Sequence, residues 1–271
     1  MPDPSSSSSA PADKPRRRSP PRRIEVSRVE TLSPLMRRVT FGGADLAGFA
    51  INAPATYIKL TFPEPGQDEP PLPTPDGPRS MSMRTYTPRR FDASRVELDV
   101  DFVLHGDGPA SGWAAQARVG QRLVLMGPGR GYEVDSTASS HLLIGDESAL
   151  PALETILEGL PAHAHARVFV EVAGAHEERA LGGAHGHEIV WLHRGADTAA
   201  TGRAIEAALR RIAPALAPDT RAYVACEALA MRRIRLLLID ELKLPRAQVV
   251  GRGYWKIGGI NHPDHDYGDD A

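Results

Sequence analysis

Cysteine is almost missing from this sequence: among its 271 residues, Cys226 is the only one. An intramolecular disulfide is therefore excluded, as are a Cys-x-x-Cys redox pair and an iron–sulfur cluster held by cysteines. Disulfides belong mainly to oxidising compartments, so their absence favours a reducing cytosol, and we expect a cytoplasmic protein. We interpret the single thiol, near the end of the segment RAYVACEA, as a small buried side chain.

Long apolar runs are missing as well, since none approaches the roughly 20 residues that a membrane-spanning helix needs. The N-terminus is basic but has no apolar segment after its charges, which excludes a secretory signal. The formal net charge is -2, so there is no general reason to expect nucleic acid as a partner. With 41% hydrophobic and 24% charged residues, the composition predicts a soluble globular protein, long enough for two domains.

The two ends differ in composition from the rest of the chain. Residues 1–22 are mostly Ser, Pro and Arg, which predicts a disordered basic tail. Its run PRRRSPPRR can be interpreted as a cellular address or a nucleic-acid-binding arm, but a solvated tail is favoured. Residues 259–271 predict an acidic, mobile C-terminal tail.

The first half of the chain, residues 23–136, is predicted to form strands. Alternation is clearest in VELDVDFVL, where apolar residues alternate with carboxylates as in a half-buried strand. Many short antiparallel strands favour a closed barrel, because closure removes sheet edges. The segment GPASGWAAQARVG interrupts them and predicts a short helix that begins near Pro109–Ser111. The predicted strands are RIEVSRVETLS, MRRVTFGG, ATYIKLTFPE, MSMRTYT, RVELDVDFVLHG and QRLVLMGPG.

From residue 137 to 258, strand and helix patterns alternate. The strands HLLIG, RVFVEVAG, EIVWLHRG and RAYVACEA are separated by helical patterns such as DESALPALETILEGL, and QVVGRGYWKIG follows as a last extended segment. This order predicts βαβ units and a mostly parallel sheet with helices on both faces. Ligands of such sheets bind beyond the carboxyl ends of the strands, so we expect a site in the crevice between the two domains.

The strand MRTYTPRR carries unusual side chains. Alternation places Arg84 and Tyr86 on one side and Thr87 just past them. An arginine can grip a diphosphate, a tyrosine can stack on a planar heterocycle, and a threonine can hydrogen-bond a ring nitrogen. The pattern fits a flavin dinucleotide, with a surface arginine beside a core tyrosine as the alternative. Arg89 and Arg90 stay unassigned and are attributed to a solvated turn.

The segment HGDGPASGW, residues 105–113, follows a predicted strand. Its glycines allow close backbone approach, and the free amides of the helix that begins at Pro109 and Ser111 can bind an anion. A pyrophosphate bound there would be neutralised from its other side by Arg84. An ordinary capped helix is the alternative. The fingerprint GxGxxG is absent, and GPGRG at 127–131 is interpreted as a turn.

The segments RTYT, DFVLHGDGPASGWA, LLIGDESALPALETILEGL and GYWKIG, in this order, resemble the siderophore-interacting protein family. These are FAD-dependent ferric-siderophore reductases related to the ferredoxin-reductase superfamily, and the resemblance extends from about Arg23 to Gly258. It implies a six-stranded antiparallel FAD-binding barrel, residues 23–136, and a parallel-sheet NAD(P)H-binding domain, residues 137–258. It also implies that electrons pass from NADPH or NADH through flavin to a ferric siderophore, which then releases Fe(II).

The resemblance also implies a cofactor site built from several segments. Asp146 and Glu147 stand where a phosphate-binding loop is usual, and two carboxylates would repel a phosphate, so they cap the helix or face the nicotinamide. Arg194 and Arg179 are alternatives for the 2′-phosphate of NADPH. The full set of implied cofactor residues is Arg84, Thr85, Tyr86, Thr87, Asp101, Val103, His105, Gly108, Pro109, Ala110, Ser111, Asp146, Glu147, Ser148, Ala149, Arg194, Tyr254 and Trp255.

For the substrate, the resemblance implies a cationic pocket that attracts anionic ferric chelates, formed by Lys59, Arg130, Arg252 and Lys256. Lys256 stands where the family commonly has arginine, which keeps the charge but loses the planar fork. The paired histidines lie in loops without thiolates, so we expect no structural metal. We expect a monomer, with ferredoxin as an alternative donor. Siderophore binding, or general flavin reduction without chelate turnover, is the alternative function.

Overall fold

The computed structural model describes residues 19–259 except 65, 74–81, 106–107, 184–185, 196, 198–199 and 213–215. Most of both predicted tails therefore lies outside the described residues, as do Gly106 and Asp107 of the glycine-rich segment. Among the residues described, no helix has the length and hydropathy that a bilayer crossing requires.

The first part of the chain forms an antiparallel sheet in the order β4-β3-β7-β1-β2-β6-β5. A short helix, α1 (Pro109–Ala115), lies between β6 and β7, where the sequence predicts one. The strands are β1 (Arg22–Ser33), β2 (Met36–Gly42), β3 (Ile58–Thr61), β4 (Met83–Tyr86), β5 (Pro88–Asp92), β6 (Glu97–Val103) and β7 (Arg122–Met126).

The sheet has seven strands where six were predicted, because Pro88–Asp92, which was not among the predicted strands, forms β5. β4 ends at Tyr86 and β5 begins at Pro88, so Thr87 alone separates the two edge strands of the sheet. Pro88 has no N–H to donate, and the register of β5 shifts between Pro88 and Arg90. The sheet therefore curls until its edges meet through one residue, which confirms the predicted barrel class.

Strand β6 differs from the predicted half-buried strand. Leu98, Val100 and Phe102 fill the barrel core as expected, but Asp99 and Asp101 on the opposite face are also buried. Arg38 of the neighbouring strand forms a bidentate pair with Asp101, at 2.6 and 2.8 Å. The outer face of β6 is thus covered, and its carboxylates are tolerated because they are paired.

The second part of the chain forms a parallel sheet in the order β10-β9-β8-β11-β12. The strand order reverses between β8 and β11, which opens a crevice at their carboxyl ends. Leu142 and Ile144 of β8 pack on one face and Leu143 on the other, so helices cover both faces as predicted. The elements are β8 (Ser140–Asp146), α2 (Leu150–Gly159), β9 (His165–Val172), β10 (Glu188–His193), α3 (Arg203–Ile212), β11 (Arg221–Glu227), α4 (Ala228–Leu236) and β12 (Val249–Trp255).

The two sheets are joined by a substantial interface. Met36 and Tyr132 belong to the same apolar cluster as Leu153 of α2. Polar contacts flank this cluster: Glu177 accepts hydrogen bonds from the hydroxyl of Ser33 and the amide of Leu35. The barrel and the parallel sheet therefore hold a defined relative position, which matters for any site formed between them.

Candidate functional site

Strand β4 presents Arg84 and Tyr86 on one face. Its ladder with β3 pairs Arg84 with Leu60 and Tyr86 with Ile58, and directly opposed residues project from the same face of a sheet. The ring of Tyr86 packs against Phe102, with centroids 4.5 Å apart, and the partly buried residue lies against the barrel core. Burial raises the pKa of the Tyr86 hydroxyl, which therefore stays neutral.

The junction between β4 and β5 meets the end of the parallel sheet. Thr87 is buried, and its side chain interacts with the hydroxyl of Tyr254. The Tyr254 hydroxyl in turn lies 3.0 Å from that of Tyr223 on β11. Burial raises the pKa of Tyr254, although the interactions with Tyr223 and Thr87 oppose the rise. A line of hydroxyl groups thus connects the barrel to the parallel sheet.

The start of α1 supplies main-chain amides. Gly108 is the N-cap and has no side chain with which to cap them. Ala110 and Ser111 are buried, Pro109 is exposed, and the Ser111 hydroxyl accepts a hydrogen bond of 2.8 Å from the amide of His105. This local bond fixes the loop that leads into the helix, so Ser111 helps to shape that loop.

Asp146 is the last residue of β8 and lies where the strand order of the parallel sheet reverses. Its Oδ1 accepts hydrogen bonds from the amide and hydroxyl of Ser148, and its Oδ2 accepts bonds from the Glu227 amide at 3.1 Å and Trp255 Nε1 at 2.8 Å. The carboxylate thereby links the ends of β8, β11 and β12. Burial, reinforced by the charge of Glu147, raises the pKa of Asp146 to about 6.

Other carboxylates at this edge also bind main-chain amides. Glu147 accepts the amide of Ala173 at 2.8 Å, and Glu171 accepts that of Gly202 at 2.8 Å. Glu227 caps α4 through a 2.8 Å bond from the amide of Ala230. These amides are therefore already bound by carboxylates, and the negative charge around them disfavours a phosphate at the same positions.

Arg194 lies at the end of β10, at the same edge of the sheet. Its guanidinium forms an ion pair with Glu147, with 2.7 Å between nitrogen and oxygen, and is largely buried. Arg179, the alternative for the 2′-phosphate, lies elsewhere: it donates to Glu154 at 3.1 Å and to Asp101 at 3.5 Å. Arg179 is thus placed within the interface between the sheets and away from an open edge.

The predicted substrate cations fall into two groups. Lys59 pairs with Thr85 and Met126 in the β3 ladders, on the face of β3 opposite to Ile58 and Leu60. Arg130 is exposed in the loop after β7. The second group is on or after β12, where Arg252 is half-buried and Lys256 exposed. The contact between Tyr254 and Thr87 brings β12 to the barrel.

The loop that carries Arg130 is tightly packed. A Cβ on Gly129 would lie 2.1 Å from Cζ of Tyr57, and one on Gly131 would lie 2.6 Å from Cβ of Ala53. Because only glycine fits such close approaches, the loop is fixed on the segment before β3. Arg130 therefore projects from a rigid loop beside the strand that carries Lys59.

Some predicted cofactor residues lie in the interface. Asp101 is fully buried between Arg38 and Arg179, and Val103 packs with the apolar cluster around α2. Sequence reasoning missed Arg89, attributed to a solvated turn. That interpretation was wrong, because the side chain is only 13% exposed and binds two carboxylates of α2. Glutamates at 154 and 158, one turn apart on a mostly apolar helix, were the available signal.

Cys226 is buried, as predicted, and burial raises its pKa well above the ordinary thiol value. Among the described residues, no group of three or more His, Cys, Asp or Glu side chains is arranged to hold a metal ion. His185, His262 and His265 lie outside the described residues.

The donor set on the barrel fits a flavin dinucleotide. Arg84 offers a guanidinium for a pyrophosphate, Tyr86 a ring with part of its surface open, and the start of α1 amides without a side-chain cap. A curled antiparallel barrel followed by a parallel sheet with the order found here is a ferredoxin-reductase-like fold.

The family follows from direct comparison. Residues 25–132 match the family model of the siderophore-interacting FAD-binding domain, and residues 138–258 match that of the siderophore-interacting protein. The chain belongs to the siderophore-interacting protein family. This confirms the resemblance drawn from the sequence, and it confirms FAD as the cofactor of the barrel.

Relatives and a solved structure agree with this assignment. The chain is 33% identical over 254 residues to ferric vibriobactin reductase ViuB of Vibrio cholerae, covering 91% of this chain and 93% of the relative. It is 40% identical over 146 residues to the NADPH-dependent ferric-chelate reductase of Escherichia coli, covering 51% and 57%. The crystal structure of a siderophore utilization protein from T. fusca superposes with a TM-score of 0.78 at 37% identity, covering 92% and 99%.

Proposed function

We propose that this protein is a cytoplasmic, monomeric ferric-siderophore reductase that uses FAD and takes electrons from NADPH or NADH. One nucleotide and two ferric siderophores would give oxidised nucleotide, a proton and two Fe(II) ions, which balances the two electrons. The observation that carries the proposal is the contact of Thr87 with Tyr254, because it joins the flavin-binding strand to the carboxyl edge of the parallel sheet. We assign residues 23–136 to the FAD-binding domain and 137–258 to the nucleotide-binding domain.

Several barrel residues would hold FAD. Arg84 would bind the pyrophosphate together with the amides of Gly108, Ala110 and Ser111, Tyr86 would contact the ribityl chain or the ring, and Thr87 would lie at the reactive edge. When bound, FAD allows a donor of electron pairs to serve an acceptor of single electrons. The protein contributes orientation and electrostatics.

The nucleotide would lie at the carboxyl edge of the parallel sheet. The carboxylates there already occupy the amides at the starts of α2 and α4. We therefore propose that the turn from Asp146 to Ala149, with Tyr254 and Trp255, faces the nicotinamide, and that Arg194 attracts the phosphates. Reduced ferredoxin is the alternative donor.

The chelate would be attracted by Lys59, Arg130, Arg252 and Lys256. Several fixed cations around one crevice raise the local concentration of an anionic substrate. Siderophores surround iron with their own oxygen ligands, so the reaction requires no protein ligand to iron. Reduction to Fe(II) weakens the hold of such oxygen ligands on the metal, and the ion is then free to leave.

The test is anaerobic mixing of the purified flavoprotein with NADPH, NADH or reduced ferredoxin, a panel of ferric siderophores and an Fe(II) trap. We expect the flavin to bleach with a nucleotide and Fe(II) to form with anionic chelates. Bleaching without Fe(II) would instead indicate a general flavin reductase. Bleaching by ferredoxin alone would show that ferredoxin, and not a nicotinamide nucleotide, is the electron donor. Chelate binding without any reduction would indicate a siderophore-binding protein, and a protein that refuses FAD would contradict the proposal outright.

A further inference from the structure

A chain of alternating charges crosses the interface between the two sheets. Arg38 of β2 binds Asp101 of β6 at 2.6 Å, and Asp101 is reached by Arg179 at 3.5 Å. Arg179 and Arg89 both donate to Glu154 of α2, at 3.1 and 3.0 Å. The barrel supplies two of these arginines and one carboxylate, so neither sheet could satisfy the cluster alone.

Arg89 makes the direct link from the barrel strand to α2. Its Nε donates to Glu154, and its two terminal nitrogens donate to both oxygens of Glu158 at 2.6 and 3.2 Å. A bidentate guanidinium–carboxylate pair fixes distance and orientation together. A further bond, from the amide of Gly182 to Glu154 at 3.0 Å, holds the acceptor itself in place.

The position of Arg89 in the chain gives this link a functional meaning. Thr87, at the barrel junction, is two residues before Arg89 on the same extended segment. Helix α2, which receives the guanidinium, begins directly after the turn from Asp146 to Ala149. One side chain therefore joins the segment that follows the flavin-assigned strand with the helix that follows the turn assigned to the nicotinamide.

We propose that Arg89 is a positioning residue that sets the distance between the flavin-binding strand and the nucleotide-binding turn. The inference rests on the proposed function, because the flavin and nucleotide positions are taken from it. Displacement of a reacting group by about 1 Å can slow a reaction roughly 100-fold. A link that fixes two binding elements should thus affect the rate of flavin reduction by nucleotide more than the affinity for either molecule.

The decisive variant is Arg89→Met, which keeps an unbranched apolar stem and removes the guanidinium. The adjacent Arg90→Ala is the matched control, because Arg90 is 63% exposed at its side chain and only approaches Asp99 at 3.5 Å. Glu158→Gln is the milder partner variant, since the Glu158 side chain is 42% exposed and the fold should tolerate its change. Arg89→Lys keeps the positive charge but loses the planar guanidinium that makes the bidentate pair with Glu158.

Three readouts separate positioning from a merely structural role. Stopped-flow reduction of bound FAD by NADPH or NADH should slow roughly 10- to 100-fold in Arg89→Met, less in Glu158→Gln, and recover partly in Arg89→Lys. Titration of the apoprotein should show FAD affinity within about 2-fold of wild type, because Arg84 and Tyr86 are on β4. Enzyme reduced chemically with dithionite should pass electrons to a ferric chelate at the wild-type rate.

Hydrogen exchange of the apoprotein supplies a measurement that does not depend on turnover. We expect faster exchange in 88–92 and 150–159 in Arg89→Met and no change in Arg90→Ala. Equal flavin reduction rates in the two variants would overturn the inference, as would a loss of FAD affinity that matches the loss of rate. If wild-type flavin is bleached by neither nucleotide, the proposed donor fails instead, and unchanged exchange in Arg89→Met would then reject the link as well.

Discussion

Trp255 Nε1 donates a 2.8 Å hydrogen bond to Oδ2 of Asp146 and so ties the end of β12 to the end of β8. The same oxygen accepts the amide of Glu227 from the strand between them. One buried carboxylate therefore organises three strand ends at the point where the strand order reverses. The chain uses its own acidic group where many dinucleotide-binding folds hold a phosphate.

The bond between Trp255 and Asp146 predicts a pH-dependent loss of stability in Trp255→Phe. The native pKa of Asp146, about 6, lies above the ordinary value of 3.8. Between these values the native state binds more protons than the unfolded state, so stability falls as pH rises through this window. The indole bond stabilises the ionised form and partly offsets this fall. Its removal should cost about 1–2 kcal/mol at pH 7.5 and less at pH 4.5.

Urea unfolding of both proteins at the two pH values checks this. Tyr254→Phe at the neighbouring position is the control, because its hydroxyl contacts Tyr223 and Thr87 and not Asp146. An equal loss of stability for Trp255→Phe at pH 4.5 and pH 7.5 would show that packing, and not the hydrogen bond to a titrating carboxylate, accounts for the effect.

His141 predicts a loss of stability in mild acid. It is buried at the start of β8, and burial lowers its pKa below the ordinary 6.5. As pH falls through 6.5, the unfolded state takes up a proton that the native state resists, so native stability decreases with falling pH. His141→Leu should flatten this part of the curve of unfolding free energy between pH 5 and pH 7. His176→Leu serves as control, because this histidine is exposed. The prediction is wrong if both variants keep the wild-type dependence of unfolding free energy on pH.

The sequence predicted the two architectures because each has a local signature. Alternation in β6 and the succession of strands and helices after residue 137 follow from periodicity alone. Strand β5 was missed because Pro88 and the two arginines that follow it leave no apolar alternation in PRRFD. Arg89 was missed for a different reason: its partners Glu154 and Glu158 lie 65 and 69 residues away. Ion pairs between distant elements leave no periodic trace.

The candidate site was predicted less evenly than the fold. Arg84 and Tyr86 could be placed on one face because side chains alternate along any strand. The resemblance implies Asp101 at the cofactor, and the structure shows its side chain buried between two arginines of the interface. Which face of a strand a neighbouring domain covers depends on tertiary packing. The sequence pattern predicted strand β6, but it did not predict which part of the protein covers the face that carries Asp101.

Arg84→Ala should weaken FAD binding to the apoprotein by roughly 10- to 100-fold, the loss expected for a charge-assisted contact worth about 1.5–3 kcal/mol. Thermal stability should change little, because Arg84 is only half-buried and lies on an edge strand. Titration followed by flavin fluorescence measures the affinity. Arg95→Ala, at an exposed side chain paired with Glu97 on the same barrel, provides the control. Unchanged FAD affinity in Arg84→Ala would assign the pyrophosphate to other groups.

Lys59→Ala should weaken the use of anionic chelates and leave FAD binding intact. The β3 ladder places Lys59 with Thr85, on the face opposite to that of Arg84 and Tyr86, so its ammonium is separate from these two side chains. We expect KM for an anionic ferric siderophore to rise about 5- to 10-fold with little change in kcat, because a lost charge contact of about 1 kcal/mol acts on binding.

The effect of Lys59→Ala should shrink as ionic strength rises, because salt screens exposed charges beyond about 8–10 Å. A neutral ferric chelate measured in parallel should show almost no change, since it has no net charge for the ammonium to attract. Lys59→Arg, which keeps the charge, should restore most of the wild-type KM. Loss of flavin from Lys59→Ala would place the lysine at the cofactor, and equal losses for neutral and anionic chelates would point to shape and not charge as its contribution.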